Sequence, residues 1–194
     1  DDVFRVTLGN GIVVLARENV SSPAVVIDCT LRAGAIHEGR SQAGLANFTS
    51  SSLMRGSDGH VFDQIHEKIE SVGASLHMSS GVHTAGFSGK CLVEDLDLLL
   101  GLTSDLLRRP TFPEDHLTRL RGEIVTALAV RAHDTRSMSA LSFYEELYGV
   151  DHPYGYASSG YHDTVCAIRR ADVVDFHKQH YGPRDMFVVI VGNL

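Results

Sequence analysis

Apolar residues recur along this chain at two different spacings, and the order in which the two alternate is what most restricts its fold. Phe4-Arg5-Val6-Thr7-Leu8 alternates as a strand does, Gly9-Asn10-Gly11 signals a hairpin, and Ile12–Ala16 reads as the return strand. Ala24–Leu31, rich in β-branched residues, reads as a third strand. Ala74–Ser80 and His83–Leu92 read as an antiparallel pair, and Met186–Val191 as a last, buried strand. Helical spacing fills the intervals. One helix is predicted from about Gln42 to Met54, and the next carries Phe62, Ile65, Ile69 and Val72 and ends at Gly73. Asp95–Leu107 is apolar almost all round, which predicts deep packing. Pro113 opens a long helix with the stripe Leu117, Leu120, Ile124 and Ala127/Leu128. Two further helices are predicted over Ser137–Tyr148 and Ala171–His180, with residues 33–40 and 149–160 as loops. This mixed order predicts an α+β fold, with helices packed on one face of a mixed, largely antiparallel sheet. No Gly/Ser/Pro-rich linker divides residues 1–194, so a single domain is expected.

Composition excludes several classes of function. A net charge of −7 with no basic run argues against nucleic-acid binding. No apolar run reaches the ~18 residues that would read as a membrane span. Nothing at the start of the chain reads as a signal peptide, and a soluble, cytoplasmic or periplasmic protein is expected. Cys29, Cys91 and Cys166 form no C-x-x-C pair and are expected to be reduced, buried thiols.

The segment Gly44-Leu45-Ala46-Asn47-Phe48-Thr49-Ser50-Ser51-Ser52-Leu53-Met54-Arg55-Gly56-Ser57 resembles, without a gap, the zinc-site helix of the pitrilysin/insulinase (M16) metallopeptidases, which reads like G-L-A-H-F-L-E-H-M-L-F-K-G-T. Asn47 stands at the first His position of the inverted H-x-x-E-H motif, Ser50 at the Glu and Ser51 at the second His. Two His one helical turn apart can reach one Zn²⁺ together, and a Glu beside them can take a proton from zinc-bound water. Asn and Ser offer neutral oxygens, poor zinc ligands that cannot act as a general base near neutral pH. The resemblance puts the third ligand, a Glu on a later long helix, at Leu128, by spacing from Ser51 and from the loop landmark Asp151-His152-Pro153.

Other pieces carry the resemblance along nearly the whole chain. Thr7–Val14 is similar to T-L-x-N-G-x-x-V, Leu31–Glu38 to the x-x-x-G-S-x-x-E turn, Ile69–Ala74 to I-E-x-x-G-G/A, and Tyr181–Met186 with Val188–Gly192 to Y-x-P-x-N-x…V-V-G-D. The family's halves each hold two such domains, and two halves close around a peptide chamber. The resemblance therefore implies the first domain of a degenerate half, a piece of a longer two-domain chain. It would bind no metal or cofactor, carry no catalytic residue, and pair with a zinc-bearing M16 half, with peptide as a further partner. A structural subunit similar to the core proteins of the cytochrome bc1 complex is the alternative. A zinc peptidase with unusual ligands is the third reading. Of the eleven His, His60 and His66 are six apart and share no helix face, His77 and His83 could approach each other across a strand pair, and His177 and His180 stand at i, i+3; none comes with a visible third ligand, so surface or hydrogen-bonded His are expected. The Thr49–Ser52 run lacks the elbow of a serine nucleophile and reads as a polar helix face or as hydroxyls bonding their own turn.

Overall fold

The computed structural model describes residues 2–194. Six strands, β1 (Phe4–Thr7), β2 (Val13–Glu18), β3 (Ala24–Leu31), β4 (Ser75–Ser80), β5 (Ala85–Leu92) and β6 (Phe187–Gly192), form one sheet in the order β1-β2-β6-β3-β5-β4. Only β2 and β6 run parallel, with Val14 opposite Val188; every other pairing is antiparallel. The last strand of the chain thus fills the gap between β2 and β3 and becomes central to the sheet.

Period-2 alternation decides which face is covered. Val25, Ile27, Cys29 and Leu31 of β3 are buried together with Ala85, Phe87 and Cys91 of β5. Val26, Phe187 and Val189, on the opposite face, are 48%, 43% and 36% exposed. The expectation that Met186–Val191 is a buried strand is therefore corrected. Its β-branched run is apolar on both faces, but helices cover only one. Cys166 is also corrected: Cys29 and Cys91 are buried, whereas Cys166 is exposed, and all three are free.

The helices are α1 (Leu45–Ser52), α2 (Phe62–Ser71), α3 (Leu96–Arg108), α4 (Glu114–Ala132), α5 (Thr135–Tyr148), α6 (His162–Ala167) and α7 (Arg170–His180). One apolar cluster joins the sheet to all of them except α5; it includes Phe48 of α1, Ile65 of α2, Leu106 of α3, Leu117 of α4, Val165 of α6 and Phe176 of α7. Burying side chains of this size contributes about 2 kcal/mol each relative to leaving them in water.

Several boundaries differ from the sequence reading, each for a local reason. The first helix starts at Leu45 rather than Gln42, because Gly44 turns the chain at φ 99°, a left-handed conformation no helix continues through. A 3-10 turn over Leu53–Arg55 replaces its last residues. α3 buries Leu99, Leu102, Thr103 and Leu106 on one face, while Leu96, Leu100 and Leu107 are only half-buried and Gly101 is exposed. It is a one-sided helix, not one packed all round. α5 begins two residues early because the Asp134 side chain accepts from the Arg136 and Ser137 amides. α6, absent from the sequence reading, is six residues long, too short for a recurring apolar stripe.

Candidate functional site

The positions singled out by sequence lie on two helices that pack against each other, α1 and α4. α1 carries Asn47, Ser50 and Ser51, and α4 carries Leu128. Contacts between the helices include the Arg121 guanidinium over the Phe48 ring at 5.7 Å. Beyond the end of α1, Arg55 Nη2 meets Glu123 Oε2 of α4 at 2.6 Å. Glu123, off the expected ligand face by its spacing, is thereby committed to an ion pair.

The start of α1 is held from four sides. The Glu38 carboxylate accepts from the Gly44 amide at 2.8 Å and the Ala46 amide at 2.6 Å. Those are amides that the first turn of a helix leaves unpaired, and a negative charge there also complements the helix dipole. The Tyr156 hydroxyl donates to the Glu38 carbonyl at 2.6 Å. Thr164 Oγ1 donates to the Ala43 carbonyl at 2.7 Å. Arg131 of α4 donates to Ser159 Oγ at 2.6 Å and to the Gly160 carbonyl at 2.9 Å, fixing the loop that lies on Gly44. Gly44 and Gly160 approach so closely that a Cβ on Gly44 would lie 2.9 Å from the Gly160 Cα. Sequence reasoning missed this clamp; Glu38 ended one of the motif pieces, but nothing local showed what it bonds.

The side chains that this frame presents are uncharged. Asn47 and Ser51 are half-buried, and Ser51 lines a cavity of about 470 Å³ with Arg55, His66 and His77. Ser50 is 1% exposed. Its Oγ lies beside the Tyr181 hydroxyl of the α7–β6 link, yet the two do not reach hydrogen-bond geometry and both are unpartnered. Ser52 Oγ bonds back to the Phe48 carbonyl at 2.6 Å, as a hydroxyl inside a helix does. Leu128 is 8% exposed and belongs to the apolar cluster. An amide, two hydroxyls and a hydrocarbon do not fit a zinc ion, which takes imidazole, thiolate or carboxylate. Among the described residues, no group of three or more His, Cys, Asp and Glu is placed to hold a metal.

The histidines of each sequence pair have separate neighbours. His60 bonds Lys68 at 2.7 Å, while His66 packs on the Phe62 ring. His77 stands opposite Ser88 in the sheet, whereas His83 bonds the Tyr154 hydroxyl at 2.6 Å. His177 is engaged with the Leu107 carbonyl at 2.9 Å, and His180 stacks on His37.

The match to the Insulinase (Peptidase family M16) model spans residues 13–143. The chain belongs to the M16 family. It is 26% identical over 192 residues, 99% of its length and 43% of the relative's, to an uncharacterized zinc protease of Mycobacterium leprae. It is 24% identical over 189 residues, 96% of its length and 38% of the relative's, to subunit 1 of the cytochrome b-c1 complex of Bos taurus. A peptidase M16 inactive domain from Pseudomonas fluorescens superimposes with a TM-score of 0.92 at 26% identity, covering 99% of this chain and 47% of that one. The chain thus spans less than half the length of these M16 relatives. No helix among the described residues is long and apolar enough to cross a membrane.

Glu38 makes the M16 helix frame sensitive to pH. Burial pushes its carboxyl up to about 7, against the pull of the Ala46, Gly44 and Leu45 amides toward the ionised form. An unfolded Glu titrates near 4.3, so the folded state binds the extra proton between that value and about 7. Stability should therefore fall as pH rises through this window, by up to about 3 kcal/mol. Glu38→Gln should flatten this slope, because a carboxamide takes up no proton in this window. Urea unfolding of both proteins between pH 4 and pH 8 measures the difference.

Proposed function

We propose that residues 1–194 form one non-catalytic domain of M16 type, which pairs with a zinc-bearing M16 unit and contributes to the wall or substrate hold of a peptide-processing chamber. One observation carries this reading: α1 is clamped by Glu38, Thr164 and Gly160, while the positions that would do chemistry hold Asn47, Ser50, Ser51 and Leu128. A frame kept without the chemistry is what a supporting role requires. The likeness to an inactive M16 domain points the same way. Pairing is supported by α5, which has no buried residue and leaves Phe143 61% and Leu147 58% exposed. An apolar face of this kind calls for a cover. The similarity to a bc1-complex subunit favours a second reading, a scaffold subunit of a larger assembly.

Co-purification from the native source, followed by peptide-cleavage assays, tests the proposal. A partner with an intact H-x-x-E-H should come down with this chain, and the chain alone should cleave nothing. Recovery within a membrane complex would favour the scaffold reading. Hydrolysis by the isolated chain that a chelator abolishes would overturn both.

A further inference from the structure

A second cavity, of about 640 Å³, opens where the β1–β2 turn, the end of α3 and the α7–β6 link meet. That volume suits a small organic molecule. None of Asn47, Ser50, Ser51 or Leu128 lines it. Its apolar lining includes Ile12, Leu107, Tyr181 and Met186, and its polar groups come from Asn10, Ser104, Arg108 and His177. No carboxylate side chain lines it.

The hydrogen bonds nearby define what these polar groups offer. Asn10 Oδ1 accepts from the Ile12 amide at 3.2 Å, so its amino group remains as a donor. Ser104 adds a hydroxyl. The nearby Asp105 is engaged by Arg109 and faces His60; Arg108 adds to the positive charge around that carboxylate but is exposed and makes no ion pair among the described residues. His177 is tied through Nε2 to the Leu107 carbonyl at 2.9 Å, and its ring stacks on Tyr181 at 5.0 Å. Burial holds this imidazole below its ordinary range and therefore neutral at pH 7, so it supports the wall without adding charge. The cavity thus combines an apolar floor with an uncommitted guanidinium and two neutral donors. That chemistry matches an anion attached to an apolar body.

We propose that this cavity binds a small carboxylate with an aromatic or branched apolar body, its carboxylate on Arg108 and Asn10 and its body against Tyr181, Leu107 and Met186. The site is independent of whether the M16 domain is catalytic.

The chain has no Trp, so an indole ligand excited beyond the tyrosine absorption band fluoresces without tryptophan background. Titrating the protein into indole-3-propionate should give saturable 1:1 binding with a Kd on the order of 0.1 mM. Indole-3-propionamide, which keeps the body and loses the charge, should bind at least about tenfold more weakly. Arg108→Gln should weaken the acid by a similar factor and change the melting temperature little, since Arg108 is exposed and makes no ion pair among the described residues. Gly182→Leu should abolish binding, because Gly182 lines the cavity and a Cβ there meets no atom within 4 Å. Acid and amide binding equally, an unchanged Kd in Arg108→Gln, or no saturation up to about 1 mM protein would each overturn the proposal.

Discussion

A variant carrying Asn47→His, Ser51→His and Leu128→Glu is expected to melt at a temperature that rises with added zinc, while the parent's melting temperature stays where it is. The two new imidazoles stand one turn apart on α1 and share a face. The new carboxylate stands on α4, which packs against α1. Without metal the variant should be less stable than the parent by about 3 kcal/mol, because Leu128 is buried and a carboxylate there loses its water. Zinc at a hundred times its Kd should return about 2.7 kcal/mol, which for a chain of this length is about 5–10 °C. Ser50 is left alone in this variant. A Glu in its place would bring a further carboxylate into a buried site beside the Tyr181 hydroxyl. A zinc-independent melting temperature would mean that the three positions do not converge.

Gly160→Val is expected to be among the most damaging single substitutions in the molecule. Gly160 sits at φ +80°, where a β-branched side chain is strained, and a Cβ would lie 2.5 Å from the Ala43 carbonyl and 2.8 Å from Val165 Cγ2. Neither neighbour is the free end of a long side chain. Ala43 is backbone at the mouth of α1, and Val165 is fully buried. The loss should be about 4 kcal/mol, about 10 °C in melting temperature. Gly122→Ala is the matched control. It lies exposed inside α4, where a Cβ meets nothing within 4 Å, so it should gain about 1 kcal/mol. Thermal unfolding of the two variants beside the parent separates the clamp at α1 from a general intolerance of side chains at glycine.

Most elements were legible because their periodicity is local. The alternation in Ala24–Leu31 and the stripe Leu117, Leu120, Leu128 each need only one element and one buried face. Strand order was not legible: β6 inserts between β2 and β3 through contacts some 170 residues apart in number, such as Val14 with Val188, and no short window records them. The helix boundary at Leu45 depended on the conformation of Gly44, which in turn depends on Gly160 lying against it. The same holds at the site. Asn47, Ser50, Ser51 and Leu128 could be placed by counting along a motif. The groups that hold their helices, Glu38, Thr164 and Arg131, come from three distant stretches and meet only in the folded chain. Ser50 and Tyr181 belong to that second class, for their unpartnered hydroxyls come together only in the folded chain.

We propose that the M16 helix frame serves here without zinc chemistry. Equilibrium dialysis of the unaltered protein against zinc, followed by metal analysis, tests it most directly. Zinc well below one ion per chain and no cleavage of peptide by the dialysed protein are expected. One tightly held ion per chain, removed only by a chelator, would contradict it.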